Sequence, residues 1–304
     1  MAEIWRTLED VPAVPSAVAV GVFDGVHAGH RQAVRKMAKA ATTHSLRPVV
    51  LSFDPDPAHV LGPDHAPPLL MTPRTRATTL IHECGVTGVL LLPFTLDVSR
   101  LSPADFVQRV LVDALGAKHV AVGANFRFGH KAAGTPELLQ QLGQVHGFTV
   151  WIEDLLSAED AVVSATRIRQ AVAEGRVEQA SELLGRPFLL EGVVVRGDQV
   201  GRELGFPTAN LRPDPRLVVP KVGIYAAWAH LDGARVPAAV SIGWRPTFDG
   251  KDLRIEAHLL DFDGDLYGTD LALAFTHRLR DEVKFDTVDA LVEQIAADVT
   301  DTRR

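Results

Sequence analysis

Apolar residues in the first half of the chain come in short, nearly continuous runs, each followed by a longer stretch with helical spacing. AVAVGVF (17–23) precedes a helical pattern over 31–44, RPVVLSF (47–53) one over 74–84, GVLLLPF (88–94) one over 103–115, and HVAVGA (119–124) one over 136–146. Apolar strands alternating with helices predict a parallel sheet covered on both faces. Thr72-Pro73 and Ser102-Pro103 each set a proline just after a capping hydroxyl, which marks helix starts at those points. A last helix is expected from about Thr166 to Leu184, ended by Gly185.

After Gly185-Arg186-Pro187 the texture changes. EGVVVRGD, GIYAAWAHLDG, PAAVSIG, IEAHLLDFDGD and LALAFTHRL are short apolar runs broken by Gly, Pro and Asp, the pattern of an antiparallel sheet or small barrel. One helical pattern, about Val288 to Val299, follows them. The expected organisation is an α/β domain over 1–185 and a β-rich domain over 186–304.

Composition sharpens this picture without altering it. A length of 304 residues suits two domains, and 46% hydrophobic residues supply apolar surface for two cores. With 31 Lys and Arg against 38 Asp and Glu the net charge is −7, and no basic run offsets it. Nucleic acid is therefore not an expected partner, and any phosphate handled here belongs to a small molecule. The lone Cys84 has no intramolecular disulfide partner and reads as core filler in a reducing compartment. The start MAEIWRTLEDV carries acids where a signal peptide needs cations, and no uncharged apolar run reaches ~18 residues, so a cytoplasmic protein without a membrane anchor is expected.

Candidate chemistry begins where the first strand runs into GVFDGVHAGH (21–30) and a helix. Gly25 and Gly29 permit a tight turn, and His27 and His30 stand at a helix N-terminus, an end that attracts phosphate. Two imidazoles three residues apart share a face there and can donate to phosphate oxygens, stabilising charge on a leaving pyrophosphate. Two other readings stay open on the motif alone: histidines decorating an exposed helix start, and metal ligands. No GxxxxGK[ST] occurs, which excludes a Walker-type kinase in this domain.

The second half offers EGVVVRGDQVGRELGFPTANL (191–211), with Gly197, Gly201 and Gly205 ahead of Pro207-Thr208-Ala209-Asn210. Closely spaced glycines let backbone amides approach an anion, although an ordinary turn uses them too. In extended chain Thr208 and Asn210 point to one side, and two neutral oxygen ligands on one face suit Mg²⁺. Periodicity alone makes Glu256 an exposed strand residue, and Asp261, Asp263 and Asp265 turn and surface carboxylates.

GVFDGVHAGH, VGANFRFGHKAAGTPELL (122–139), SATRIRQAV (164–172) and GRPFLLEGVVVRGDQVGRELGFPTANL (185–211), in this order, resemble the bacterial bifunctional riboflavin kinase/FAD synthetase family over almost the whole chain. The resemblance implies a Rossmann-like nucleotidyltransferase domain that moves AMP from ATP onto FMN. It also implies a small six-stranded antiparallel β-barrel with a C-terminal helix that phosphorylates riboflavin. By position, His27 and His30 match the phosphate-contacting pair of the first domain, within an ATP site that includes Phe23, Asp24, Gly25 and Gly29. Ser164, Thr166, Arg167 and Arg169 match its second phosphate segment, and Asn125, Phe126, Arg127 and Phe128 match its flavin segment, with core packing the alternative for the two phenylalanines.

In the second domain the resemblance makes Glu256 the catalytic carboxylate and Gly197, Gly201, Gly205 and Pro207 the ATP-phosphate loop. Thr208 and Asn210 become ligands of Mg²⁺. Gly223, Ile224 and Tyr225 match a glycine-aromatic segment, and Arg280 to Phe285 is expected to border the flavin. The implied partners are riboflavin, FMN and ATP, with an oligomer possible. Three positions depart from the family pattern: Asp56 in SFDPDP (52–57) where His is common, Ala165 where a second serine is usual, and Ser241 where many members have Asn. A carboxylate beside a triphosphate is repulsive, so Asp56 and Ala165 raise the alternative of a riboflavin kinase carrying an impaired first domain.

Overall fold

In the computed structural model, which describes residues 2–153, 157–158, 161–197, 200–231, 233–247 and 250–304, the apolar runs of the first half become adjacent strands of one parallel sheet. Its strands are β1 (Glu3–Trp5), β2 (Ser16–Val20), β3 (Arg47–Phe53), β4 (Gly88–Leu92), β5 (Ala117–Gly123) and β6 (Thr149–Glu153), ordered β1-β4-β3-β2-β5-β6. β2 and β4 are buried along their whole length, as strands covered on both faces must be. The edge strands β1 and β6 lie outside the expected runs. β1 is three residues long and β6 is half-exposed, so neither carries a continuous apolar signal.

The covering helices are α1 (Ala28–Thr43), the short α2 (Pro57–Leu61), α3 (Pro73–Cys84), α4 (Leu96–Ser99), α5 (Pro103–Phe106) and α6 (Pro136–His146). α5 continues as a π-helical stretch over Val107–Ala114, so the helix expected over 103–115 forms with a widened second half. Both expected caps are made: the Thr72 hydroxyl accepts from Thr75 N at 3.3 Å and that of Ser102 from Asp105 N at 3.1 Å. A two-stranded ribbon, β7 (Ser157–Ala158) with β8 (Ala161–Val162), completes this unit, which spans Met1–Pro67 and Thr72–Val163.

The second unit contains Pro68–Met71 and Ser164–Arg304. It opens with α7 (Ala165–Ala173) and α8 (Val177–Leu184), where the sequence predicts one helix. Gly175, at φ +79°, breaks it, and a Cβ there would fall 2.9 Å from both the Tyr225 hydroxyl and Arg278 Nε. Only glycine meets both demands. Glu178 on α8 accepts a hydrogen bond from Arg278 N at 2.9 Å. The helix pair therefore packs with the barrel, and the compact units divide at Val163/Ser164, ahead of the expected boundary at 185/186. The change of texture at Gly185 marks where helices give way to strands, which is not where packing changes.

The barrel strands are β9 (Phe188–Val195), β10 (Ala209–Pro213), β11 (Gly223–Leu231), β12 (Ala234–Thr247), β13 (Gly250–Leu259) and β14 (Asp270–Arg280), with the short α9 (Val200–Glu203) between the first two. They close in the order β10-β13-β12-β11-β14-β9, every pairing antiparallel. Phe188, Tyr225 and Phe275 fill its interior. α10 (Val288–Thr302) is held by a two-pronged ion pair, Arg280 Nε and Nη2 to the Asp298 carboxylate at 2.9 and 2.7 Å.

Gly175→Ala is expected to destabilise this unit by about 2 kcal/mol or more, from left-handed strain plus overlap with Tyr225 and Arg278. Urea unfolding of the full chain checks it; an unchanged midpoint would show that the α7–α8 turn does not bear on the barrel.

Candidate active sites

The first site grows out of a backbone problem. β2 must turn sharply into α1, and Phe23 (φ 55°), Gly25 (φ 76°) and Val26 (φ 40°) all adopt left-handed backbone to do so. Asp24, Gly25 and Val26 are buried. The turn delivers His27 as the N-cap of α1, its Nδ1 accepting from His30 N at 3.3 Å. A neutral His27 therefore carries its proton on Nε2. The His27 and His30 rings stack at 3.6 Å between centroids, 19° from parallel, and Phe23 meets His30 edge-on at 5.2 Å.

Stacking sets the two rings' in-plane lone pairs side by side rather than convergent, which disfavours the metal reading. Among the described residues, moreover, no group of three or more His, Cys, Asp or Glu is placed to hold a metal. Gly29 follows in the first turn of α1. His30 Nδ1 is shielded from solvent and without a partner, and burial, with the charges of His27, Arg76 and Arg31, holds the imidazole well below the ordinary 6.5.

The loop lies where the sheet reverses its winding: β2 pairs with β3 on one side and β5 on the other. The carboxyl ends of such neighbouring strands form the crevice in which open α/β sheets bind ligands. From the β3 side, Ser52 Oγ donates to the Val22 carbonyl at 2.9 Å. Asp56 is buried there and paired with the fully buried Arg76 on α3 at 2.8 Å. Burial raises the Asp56 carboxyl above its ordinary value, and Arg76 offsets only part of that rise. From the β5 side come Asn125 and Arg127, both exposed, and half-buried Phe126 stacked on Phe128 at 5.5 Å. Phe128 belongs to the apolar core, which leaves Asn125, the outer face of Phe126 and Arg127 as the groups that can meet a flavin.

Ser164 caps α7, its Oγ accepting from Arg167 N at 3.4 Å; Ala165 is the first helical residue and Thr166 is exposed. Arg169 Nε donates to the Pro68 carbonyl at 2.7 Å. These four candidates thus stand on a helix of the second compact unit, whereas the histidine loop and the Asn125–Phe128 segment belong to the first.

In the barrel, strand register assembles the second site. Asn210 on β10 is directly opposite Glu256 on β13, and Glu256 is opposite Ser241 on β12. Directly opposite residues share a face, and the buried neighbours Ala209, Leu211, Ile255 and Ala257 occupy the other one. Gly197 lies against the Asn210 amide, where a Cβ would come within 2.4 Å of Nδ2. A Cβ on Gly201 would fall 2.5 Å from the Phe206 carbonyl oxygen and 3.4 Å from the Thr208 hydroxyl, and Gly205 turns the chain at φ +85°. A cavity of ≈ 420 Å³ is lined by Arg202, Pro207, Thr208, Ala209, Ala257 and Asp265 among others, so it opens on the Ala209 and Ala257 side, and Asn210 and Glu256 are not on its wall.

Thr208 just precedes β10 and lines this cavity, whereas Asn210 on β10 is opposite Glu256. Two neutral oxygens facing one way fit a magnesium ion that completes its shell with phosphate and water. Sequence reasoning missed Arg76, which sits in an ordinary helical run, and the roles of Asp263 and Asp265 as cavity walls. Tyr225 is buried, donating to the Lys221 carbonyl, and Arg280 is engaged with Asp298, its guanidinium 6.0 Å from the Phe285 ring.

Residues 12–167 match the FAD synthetase family model, and 184–304 match the riboflavin kinase model. A bifunctional riboflavin kinase/FMN adenylyltransferase of Pseudomonas fluorescens is 40% identical over 286 residues, covering 93% of this chain and 91% of the relative. The protein of the same name from Escherichia coli K12 is 36% identical over 294 residues, covering 96% and 93%. A solved Streptococcus pneumoniae chain, described as a macrolide-efflux protein, superposes with TM-score 0.88 at 33% identity over 100% of this chain and 99% of its own. No helix among the described residues here is long and apolar enough to cross a membrane.

Because His30 is held below 6.5 in the folded chain, the unfolded chain takes up a proton on falling through 6.5 before the folded one does. Its contribution to stability is therefore full above pH 6.5 and declines as pH drops below it. His30→Asn should flatten the loss of stability between pH 7 and 5.5, measured by urea unfolding; an unaltered slope would show that His30 is not shielded from protonation.

Proposed function

The chain belongs to the bifunctional riboflavin kinase/FMN adenylyltransferase family, and from that premise we propose which of its residues carry each of the two reactions. The protein phosphorylates riboflavin with ATP to give FMN and ADP, then transfers AMP from a second ATP to FMN, giving FAD and pyrophosphate. Residues 1–185 are assigned to the adenylyl transfer and 186–304 to the phosphorylation. The match of the FAD synthetase model through Arg167 supports assigning the start of α7 to the first activity, although that helix belongs to the second compact unit.

Phosphorylating an alcohol requires that a hydroxyl proton leave. Glu256 is the general base, accepting that proton as the oxygen attacks the γ-phosphorus of ATP. The observation that carries this assignment is the register pairing of Asn210 with Glu256. Gly197, Gly201, Gly205 and Pro207 form the loop that admits the nucleotide phosphates. Thr208 and Asn210 would hold Mg²⁺, which, when bound, neutralises charge on the phosphates. Arg280 to Phe285 is assigned to the flavin border.

Adenylyl transfer needs no comparable base, because the attacking FMN phosphate is already ionised at neutral pH. The P–O bond to pyrophosphate breaks as the FMN oxygen bonds to the α-phosphorus, so the enzyme's task is to stabilise negative charge on the leaving group. His27 Nε2–H, the His30 ring and the amides at the start of α1 supply donors, with Phe23, Asp24, Gly25 and Gly29 shaping the turn. Ser164, Thr166, Arg167 and Arg169 are assigned to phosphate contact, and Asn125, Phe126 and Arg127 to the flavin, with Phe128 backing them from the core. The ion pair with Arg76 removes the objection that Asp56 presents an uncompensated carboxylate to ATP. A cytoplasmic workplace agrees with the single, buried Cys84.

A chromatographic assay with Mg²⁺ and ATP, started once from riboflavin and once from FMN, tests the whole reading: FAD should form from both. FMN accumulating from riboflavin with no FAD from either start would leave only the kinase. Glu256→Gln should lower the kinase kcat by roughly 10²–10⁴ with adenylylation intact, and His27→Ala should cost roughly 10²–10³ in adenylylation with phosphorylation intact. Equal loss of both activities in either variant would contradict separate sites.

A further inference from the structure

Arg76 is fully buried on α3 and has no part in the chemistry assigned above. Its Nη1 donates to Asp56 Oδ1 at 2.8 Å, its Nη2 donates to the Phe53 carbonyl, and its Nε is buried without a partner. A guanidinium removed from water needs a counter-charge, and Asp56 supplies it. The same guanidinium thereby ties together the two ends of the turn that leaves β3. One residue before that turn, Ser52 holds the Val22 carbonyl, and Gly21 N donates to the Leu51 carbonyl at 3.1 Å. Val22 leads directly into the Phe23–His30 turn. A chain of contacts thus runs from Arg76 through the end of β3 to the stacked histidines, all within the first unit.

We propose that Arg76 and Asp56 form a positioning pair for adenylyl transfer: Arg76 clamps the turn after β3, and through it the histidine loop, while Asp56 serves as the counter-charge of Arg76 rather than as a group facing the triphosphate. The inference rests on the adenylyl-transfer reading of this unit. It makes positions 56 and 76 interdependent. Replacing Asp56 by histidine would strip Arg76 of its counter-charge and should harm this chain.

The charges around the clamp are Asp24, His27 and His30 in the loop, Arg31 on α1 with Glu83 of α3 at 3.4 Å, and His59 on α2. Arg76 and Arg31 both oppose protonation of His30, so removing Arg76 should raise the pH at which that imidazole titrates.

The test uses the full chain, with a retained urea-unfolding transition of the first unit as the control for folding, since riboflavin phosphorylation reports on the barrel. Arg76→Met, Asp56→Asn and Asp56→His should each lower kcat for FAD formation from FMN by about 10–100-fold, with a smaller change in KM for ATP. Arg76→Lys should recover part of the loss. The Asp56→Asn/Arg76→Met double variant, which buries no unpaired charge, should be no worse than either damaging single variant. In histidine-labelled protein followed by NMR, the His30 titration should move up in Arg76→Met. Asp56→His at or above the starting adenylylation rate, additive losses in the double variant, or an unmoved His30 titration would overturn the pair. Should the unaltered chain make no FAD, the adenylyl-transfer reading fails instead, and the His30 titration still decides the clamp.

Discussion

The first unit depends on one topological constraint, the reversal of winding at β2. From β2 the chain winds outward in both directions, to β3 and β4 on one side and to β5 and β6 on the other, so the strand where winding reverses is hydrogen-bonded on both sides and buried on both faces. The connections leaving the carboxyl ends of β2 and β5 then diverge, and the space between them is not filled by a crossover. Into that space β2 sends the left-handed turn ending in His27 and His30, and β5 sends Asn125 to Phe128. The strain stored in Phe23 and Val26 is sustained by burial of Asp24, Gly25 and Val26 around it. Residues that share no local sequence motif are neighbours because their strands are.

The barrel solves a different problem with a different device. Closing six strands fixes register around the whole circuit, and a slip of one residue would turn every interior side chain outward. Register therefore makes a reliable jig: it sets Asn210 opposite Glu256 and Ser241 on the remaining side, with no loop involved in holding the carboxylate. Gly197 lets another stretch of backbone lie on the Asn210 amide. The contrast follows the chemistry. In the proposed assignment, the carboxylate that takes the proton stands on a strand whose register is fixed around the whole barrel. The proposed site for adenylyl transfer, which only redistributes phosphate charge, is instead a helix start, whose donors are backbone groups and cap side chains.

Much of this was legible in the chain, for reasons that differ from element to element. The buried strands announced themselves because a strand covered on both faces must be apolar throughout, and the helix starts at Thr72 and Ser102 because a cap needs a hydroxyl. β1 and β6 were illegible because edge strands pay no such toll in composition. The break at Gly175 was hidden because glycine in an otherwise helical pattern is tolerated; its necessity lies in Tyr225 and Arg278, far away in sequence. The site residues divided in the same way. His27, His30, Thr208 and Asn210 sit in motifs whose spacing has a physical meaning, whereas Glu256 needed a family resemblance, since its alternating strand makes an outward carboxylate unremarkable.

Arg76 carried no signal of any kind, and that silence has a cause. A buried ion pair is a property of two positions, and a sequence displays positions singly. Taken alone, Asp56 reads as a defect, a negative charge placed where negative phosphate must bind. With Arg76 against it at 2.8 Å and the Phe53 carbonyl held by the same guanidinium, the carboxylate is already satisfied, and the field it would exert on a phosphate is largely cancelled at its source. Burial makes the cancellation obligatory, because either partner alone would be an uncompensated charge in the core. A substitution at one of these positions is therefore not interpretable until the other is known, and a departure from family pattern at a buried charged residue is evidence of a partner before it is evidence of lost function.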